Sequence, residues 1–160
     1  MPITQYPEYM NEPLGIGRIG LYPEHRADTL AAAETIPWGA AVQYGANAEQ
    51  GEVYDGARPF RGVAIAGHHA EYRVADVNND IVGQHVQYDA ISVLRKGAIW
   101  VKVLEDVIKG DAAKADKTTG NFRPGGTATT TVSGVIGEFK TAALANGLAL
   151  LEINLPIGGA

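Results

Sequence analysis

Few side chains in this sequence have the type and spacing to do chemistry: the adjacent pair His68-His69, the serines Ser92 and Ser133, the carboxylates Glu105-Asp106, and a G-x-G-x-x-G string from Gly15 to Gly20. Adjacent residues of an extended chain point to opposite faces, so His68 and His69 do not converge on one metal ion. His25 and His85 complete the histidine set, and neither H-x-H nor H-E-x-x-H spacing occurs. With no cysteine in the chain, a thiolate zinc site, a disulfide framework and a cysteine nucleophile are excluded. Neither serine sits in a G-x-S-x-G elbow. A catalytic group assembled across the fold stays open, because triads are spatial rather than sequential. A dinucleotide-binding reading of Gly15–Gly20 needs a strand before it and a helix after it. Pro13 and Pro23 flank the string instead, so its glycines read as those of a flexible arm. The expectation is no catalytic residue, no cofactor site and no metal site.

The elements that would position any site read as mainly β, a small jelly-roll-like sandwich or barrel over residues 27–160 behind an extended N-terminal arm over residues 1–26. The arm holds Pro2, Pro7, Pro13 and Pro23 with no sustained period, and its Tyr6, Tyr9, Arg18 and Tyr22 are candidate interface residues. The stretch DTLAAAET at 28–35 has the composition of a helical turn or two, capped by Asp28 or Thr29 and ended by Pro37. Strand-like runs follow at 40–44, 60–66, 71–77 and 81–88, with Gly83 as a candidate bulge. Residues 90–95 and 98–103 read as a hairpin around Lys96-Gly97. Lys109-Gly110-Asp111 reads as a turn before an Ala-rich strand, and 132–139 and 149–155 as closing strands. The polar Gly/Thr-rich segment 116–130 reads as an outward loop, with Asn121, Phe122 and Arg123 as further interface candidates. Candidate core residues are Trp38, Phe60, Val63, Ile65, Val93, Ile99, Trp100, Val101, Leu151 and Ile153.

Composition narrows the partners. Hydrophobic residues at 46% supply a core, whereas 19% charged residues and 20 glycines suit short strands and covered surfaces better than long solvated helices. The net charge is −5, and the 13 Lys and Arg are scattered, so nucleic acid is not the expected partner. No apolar run approaches a membrane span, and MPITQYPEYM lacks the basic and apolar regions of a signal peptide. A soluble protein made in the cytoplasm of its host is expected.

Between Phe60 and Val103 the residues take on a recognisable order. Phe60-Arg61-Gly62-Val63-Ala64-Ile65 precedes Val86-Gln87-Tyr88-Asp89 and then Ile91-Ser92-Val93-Leu94-Arg95-Lys96-Gly97-Ala98-Ile99-Trp100-Val101. This pattern resembles the structural cement, or capsid decoration, proteins of tailed bacteriophages, and Ile36-Pro37-Trp38-Gly39-Ala40-Ala41-Val42 and Asp111 fit the family's order. Gly110-Asp111-Ala112-Ala113-Lys114 departs from the family's Gly-Asp-x-Val-Tyr, and residues 67–85 are idiosyncratic. The resemblance implies a virion protein with no catalytic residues or cofactors. It implies binding to the outside of the expanded capsid, as a homodimer or homotrimer, where it bridges neighbouring major capsid subunits without contacting nucleic acid or membrane. The alternatives are another β-structured virion protein, of the tail or receptor-contacting kind, and more remotely a cupin-like enzyme.

Overall fold

A computed structural model describes residues 15–67, 73–75 and 81–156. Among them there is no helix. The strands are β1 (Ile19–Ala32), β2 (Ile36–Pro37), β3 (Ala41–Tyr44), β4 (Gln50–Val53), β5 (Phe60–Ala64), β6 (Arg73–Ala75), β7 (Ile81–His85), β8 (Ala90–Lys102), β9 (Ala112–Asp116), β10 (Phe122–Pro124), β11 (Val132–Phe139) and β12 (Leu148–Asn154).

The long strand β8 organises the fold because two rings of strands share it. In the first ring β1 pairs in parallel with β4, then β4 with β3, β3 with β5, β5 with β8, and β8 returns to β1. In the second, β8 pairs with β12, β12 with β11, β11 with β9 and β9 with β10. A parallel bridge between Val103 and Phe122 closes it, supported by the Leu104 N–H donating to the Phe122 carbonyl at 2.9 Å. Closing rings in this way leaves few unpaired edges. β2, β7 and β6 form a small separate sheet.

Each ring has its own core. Leu30, Ala32, Ile36, Ala40, Val42, Ala64, Ile91 and Val93 fill the first. Leu94, Ile99, Val101, Val103, Phe122, Phe139, Leu151 and Ile153 are among those filling the second. Side chains alternate along a strand, so Leu94 and Ile99 would ordinarily face opposite ways. They share a core because β8 carries an irregularity between them. Arg26 pairs with Lys96 and Ala27 with Leu94, which leaves Arg95 as an extra residue opposite β1. Gly97 follows at φ +129°, and a Cβ there would lie 3.1 Å from the Cβ of His25. The expected hairpin at Lys96-Gly97 is therefore corrected to one continuous strand with a bulge. The turn-like dipeptide bends the strand without reversing it, while β12 pairs from Lys96 through Lys102.

The helical expectation for 28–35 is also corrected. Asp28 to Ala31 pair residue for residue with Val93 to Ala90, and these long-range bonds override the local preference of an Ala-rich stretch. Residues 19–26, which the sequence places in the arm, lie in β1. Just ahead of them Gly17, at φ +72°, is buried, and its N–H donates to the Trp100 carbonyl at 2.7 Å. A Cβ on Gly17 would lie 2.9 Å from the Ala66 backbone nitrogen, so that glycine serves close packing rather than arm flexibility.

Gly83 pairs regularly with Arg73 and makes no bulge. A Cβ at Gly83 would fall within the Trp38 indole, so glycine is there to let the ring lie against the strand. Trp38 and Trp100 are buried, as are Val63, Val93, Ile99, Val101, Leu151 and Ile153; Phe60 and Ile65 are half-buried against the second core. The Phe60 ring meets Tyr54 edge to face, their centres 6.0 Å apart.

Candidate docking surface

The segment 116–130 was expected to reach outward. Its side chains instead knot it to the body. Asp116, at the end of β9, is buried, and its Oδ1 accepts the N–H groups of Thr118 and Thr119, each at 2.9 Å, and the Thr119 hydroxyl at 3.1 Å. Its Oδ2 accepts Arg123 Nε at 2.7 Å. Arg123 also pairs with Glu105, which accepts the Thr127 hydroxyl as well. Burial pushes the Asp116 carboxyl upward, but Arg123 and the donors of Thr119 and Thr118 together outweigh it and hold the pKa below the ordinary value. The Thr127 hydroxyl, opposed by burial and helped by Arg123, lowers the pKa of Glu105 in the same way. The two carboxylates raise that of Arg123, Asp116 most strongly.

This knot changes the standing of the expected interface residues. Phe122 is fully buried in the second core, because β10 pairs with β9 and turns the ring inward; it is corrected from interface to core. The guanidinium of Arg123 is engaged by Asp116 and Glu105. Asn121 is half-buried, its backbone carbonyl accepting the Asp116 N–H at 2.8 Å. The Arg18 guanidinium lies 5.9 Å from the centre of the Trp38 ring, a cation–π arrangement. Tyr22 lies in β1, while Tyr6, Tyr9 and the pair His68-His69 fall outside the described residues. Ser92 is exposed on β8, far in the chain from Ser133, whose hydroxyl accepts the Ala115 N–H at 2.9 Å. His85 Nε2 lies 2.8 Å from the Ile65 carbonyl oxygen. Among the described residues no group of three or more His, Asp or Glu could hold a metal ion.

What the surface does offer is a handful of large apolar side chains: Ile108 at 66% exposure, Leu144 at 75%, Val135 at 63% and Tyr88 at 76%. Two of these stand together. Val107 and Ala143 form an antiparallel bridge with their side chains turned to the core, so Ile108 and Leu144 project outward as diagonal neighbours. Both are held firmly. The Ile108 N–H donates to Asp111 Oδ2 at 3.0 Å, and Asp111 N–H returns to the Ile108 carbonyl at 3.2 Å. Beside Leu144, the Ala145 N–H donates to Asp106 Oδ1 at 2.8 Å and the Asn146 N–H to the Val103 carbonyl at 2.7 Å. Sequence reasoning missed these residues because an apolar residue is by default a core residue; flanking turn signals such as Lys109-Gly110 and Asn146-Gly147 are the only hint.

The described residues thus form a closed β body with internally paired charges and apolar side chains on pinned loops. The comparisons with known proteins say what kind of protein this is. The family model described as structural cement protein (E217 gp24/Pam3 gp6) matches residues 2–154, and the chain belongs to that family. Its role is therefore that of a capsid cement or decoration protein in a phage virion. Among solved structures it is similar to a chain of the capsid of Myoviridae phage XM1, with a TM-score of 0.65 and 18% identity over 89% of this chain and 91% of that one. It also matches the head fiber gp8.5 N base of bacteriophage phi29, with a TM-score of 0.46 and 19% identity over 82% of this chain and 95% of the other. No curated protein sequence matches it.

Proposed function

We propose that the chain attaches to the outer face of the expanded phage capsid as a homodimer or homotrimer and ties neighbouring major capsid subunits together. The observation that carries this reading is the exposed pair Ile108–Leu144 on loops pinned by Asp111 and Asp106. A backbone fixed before binding loses little freedom on contact, so a small apolar patch goes further there than on a mobile loop. The tyrosines of the N-terminal segment, Tyr6, Tyr9 and Tyr22, add candidate contacts. So does Arg18, whereas the ties of Asn121 and Arg123 suit them to shaping the surface more than to touching a partner.

The mechanism is linkage. A protein that binds the assembled lattice and not its separated subunits shifts the equilibrium toward the lattice. Each contact can be weak, because contacts within one oligomer reinforce one another through effective concentration. The test is the copy number and accessibility of the chain in purified virions. A number comparable to that of the major capsid subunits, with the chain cleavable by external protease in intact particles, is expected. A few copies confined to tails would replace this reading with a tail function.

A further inference from the structure

Ten described residues have positive φ, and eight are glycines with Asn146 as the ninth. The tenth is Tyr88, at φ +74°. A bulky side chain is uncommon in this region because its Cβ crowds the backbone, and glycine or asparagine would fit more easily. The conformation at Tyr88 is nevertheless held from several directions. Its N–H donates to the Ala32 carbonyl at 2.8 Å, and Asp89 N–H donates to the Val86 carbonyl at 3.1 Å. Asp89 Oδ2 accepts the Val86 N–H at 3.0 Å, and Gln87 Nε2 donates to the Ala33 carbonyl at 2.9 Å. All this fixes a ring that packs on little of its own chain, being 76% exposed. A strained position that costs stability and supports no core points to use of the ring by something outside the chain.

The charge around the ring says what that is. Three segments meet at this end of the first ring of strands: Ala31 N–H donates to the Glu49 carbonyl and Ala32 N–H to that of Asp89, each at 2.8 Å. Residues 31–36, 45–51 and 85–91 carry Glu34, Glu49 and Asp89 and neither Lys nor Arg. An exposed aromatic face on a tip whose segments carry three carboxylates, Glu34 and Asp89 each also accepting a backbone N–H, complements a cation, above all a guanidinium that stacks on the ring while pairing with acids. We propose that Tyr88 anchors a docking tip for an arginine- or lysine-bearing protein surface. In the virion that surface lies on a capsid subunit, so the proposal rests on the capsid-binding reading above. Tyrosine is among the residues enriched at binding hot spots.

The test compares wild type, Tyr88→Gly, Tyr88→Asn and Glu49→Lys for melting temperature and for co-sedimentation with expanded shells lacking the chain, at low and raised salt. Glycine and asparagine accept the backbone conformation, so both Tyr88 variants are expected to melt at or above wild type. Both are expected to bind shells at least about tenfold more weakly. Glu49→Lys is expected to bind more weakly at low salt, with the deficit shrinking as salt rises. If Tyr88→Gly melts below wild type, Tyr88→Asn decides by the same criterion. Wild-type affinity in the Tyr88 variants, or tighter binding by Glu49→Lys, overturns the proposal while the capsid reading stands. Wild type that fails to bind shells overturns both.

Discussion

Replacing Asp116 by asparagine tests how the polar segment after β9 is held. Asparagine keeps Oδ1 as an acceptor for the N–H groups of Thr118 and Thr119, so the turn at 117–120 should survive. What is lost is the charged bond to Arg123 Nε, since the amide presents a donor to a donor or an uncharged oxygen in place of a carboxylate. A charge-assisted hydrogen bond contributes about 1.5–3 kcal/mol. Arg123 retains Glu105 and is 21% exposed in its side chain, so water recovers part of the loss, leaving about 2 kcal/mol. At about 2–4 °C per kcal/mol for a chain of this length, Asp116→Asn should melt about 4–8 °C below wild type at pH 7. The pH dependence follows from the lowered pKa of Asp116. A carboxylate held below its unfolded value stabilises fully above that value, roughly 4, and loses the contribution as pH falls through the folded pKa. The gap between the proteins should be constant from neutral pH down to about 5 and narrow below about 4. Circular-dichroism melts of both proteins across that range are the assay. Melting within a degree of wild type at pH 7, or a gap undiminished at pH 3, would refute the reasoning.

Further expectations are as direct. Phe122→Ala empties a fully buried site in the second core and should cost about 3–5 kcal/mol in chemical denaturation, whereas an exposed contact residue would cost next to nothing. Gly83→Ala places a methyl group within the space of the Trp38 ring and should destabilise by about 1–3 kcal/mol, visible also as a change in tryptophan fluorescence. The double change Ile108→Asn with Leu144→Asn should leave stability within about 0.5 kcal/mol of wild type, as suits exposed sites. The same variant should co-sediment less with capsid shells.

Much of the fold was legible in the sequence because its signals are local. Alternation marks 149–155, β-rich composition marks 90–103, and Gly110 at φ +97° punctuates the chain as the Lys109-Gly110-Asp111 turn requires. Misreadings arose where long-range pairing decided the outcome. Thr29-Leu30-Ala31 prefers helix by itself and becomes strand only because Ser92, Ile91 and Ala90 lie opposite. Lys96-Gly97 has the form of a turn whether it reverses a chain or only bulges it, and the partner β12 determines which. Phe122 hides in a run of Gly and Thr that looks solvated, yet its ring is inward because β10 adds to β9. The surface was least legible. Exposure of Ile108 and Leu144 is a property of the Val107–Ala143 bridge, and the strain at Tyr88 exists only once Ala32 is beside it. Family membership, by contrast, was readable from Leu94 to Val101, within β8, the strand that both rings share.

The central claim is that this cement protein stabilises an assembled shell by binding its outer face. Calorimetry of expanded shells prepared without the chain, then titrated with purified protein, measures this directly. The account predicts a disruption temperature that rises with added protein until the sites are filled, with the separated subunits unaffected. An unchanged disruption temperature at saturation would contradict it.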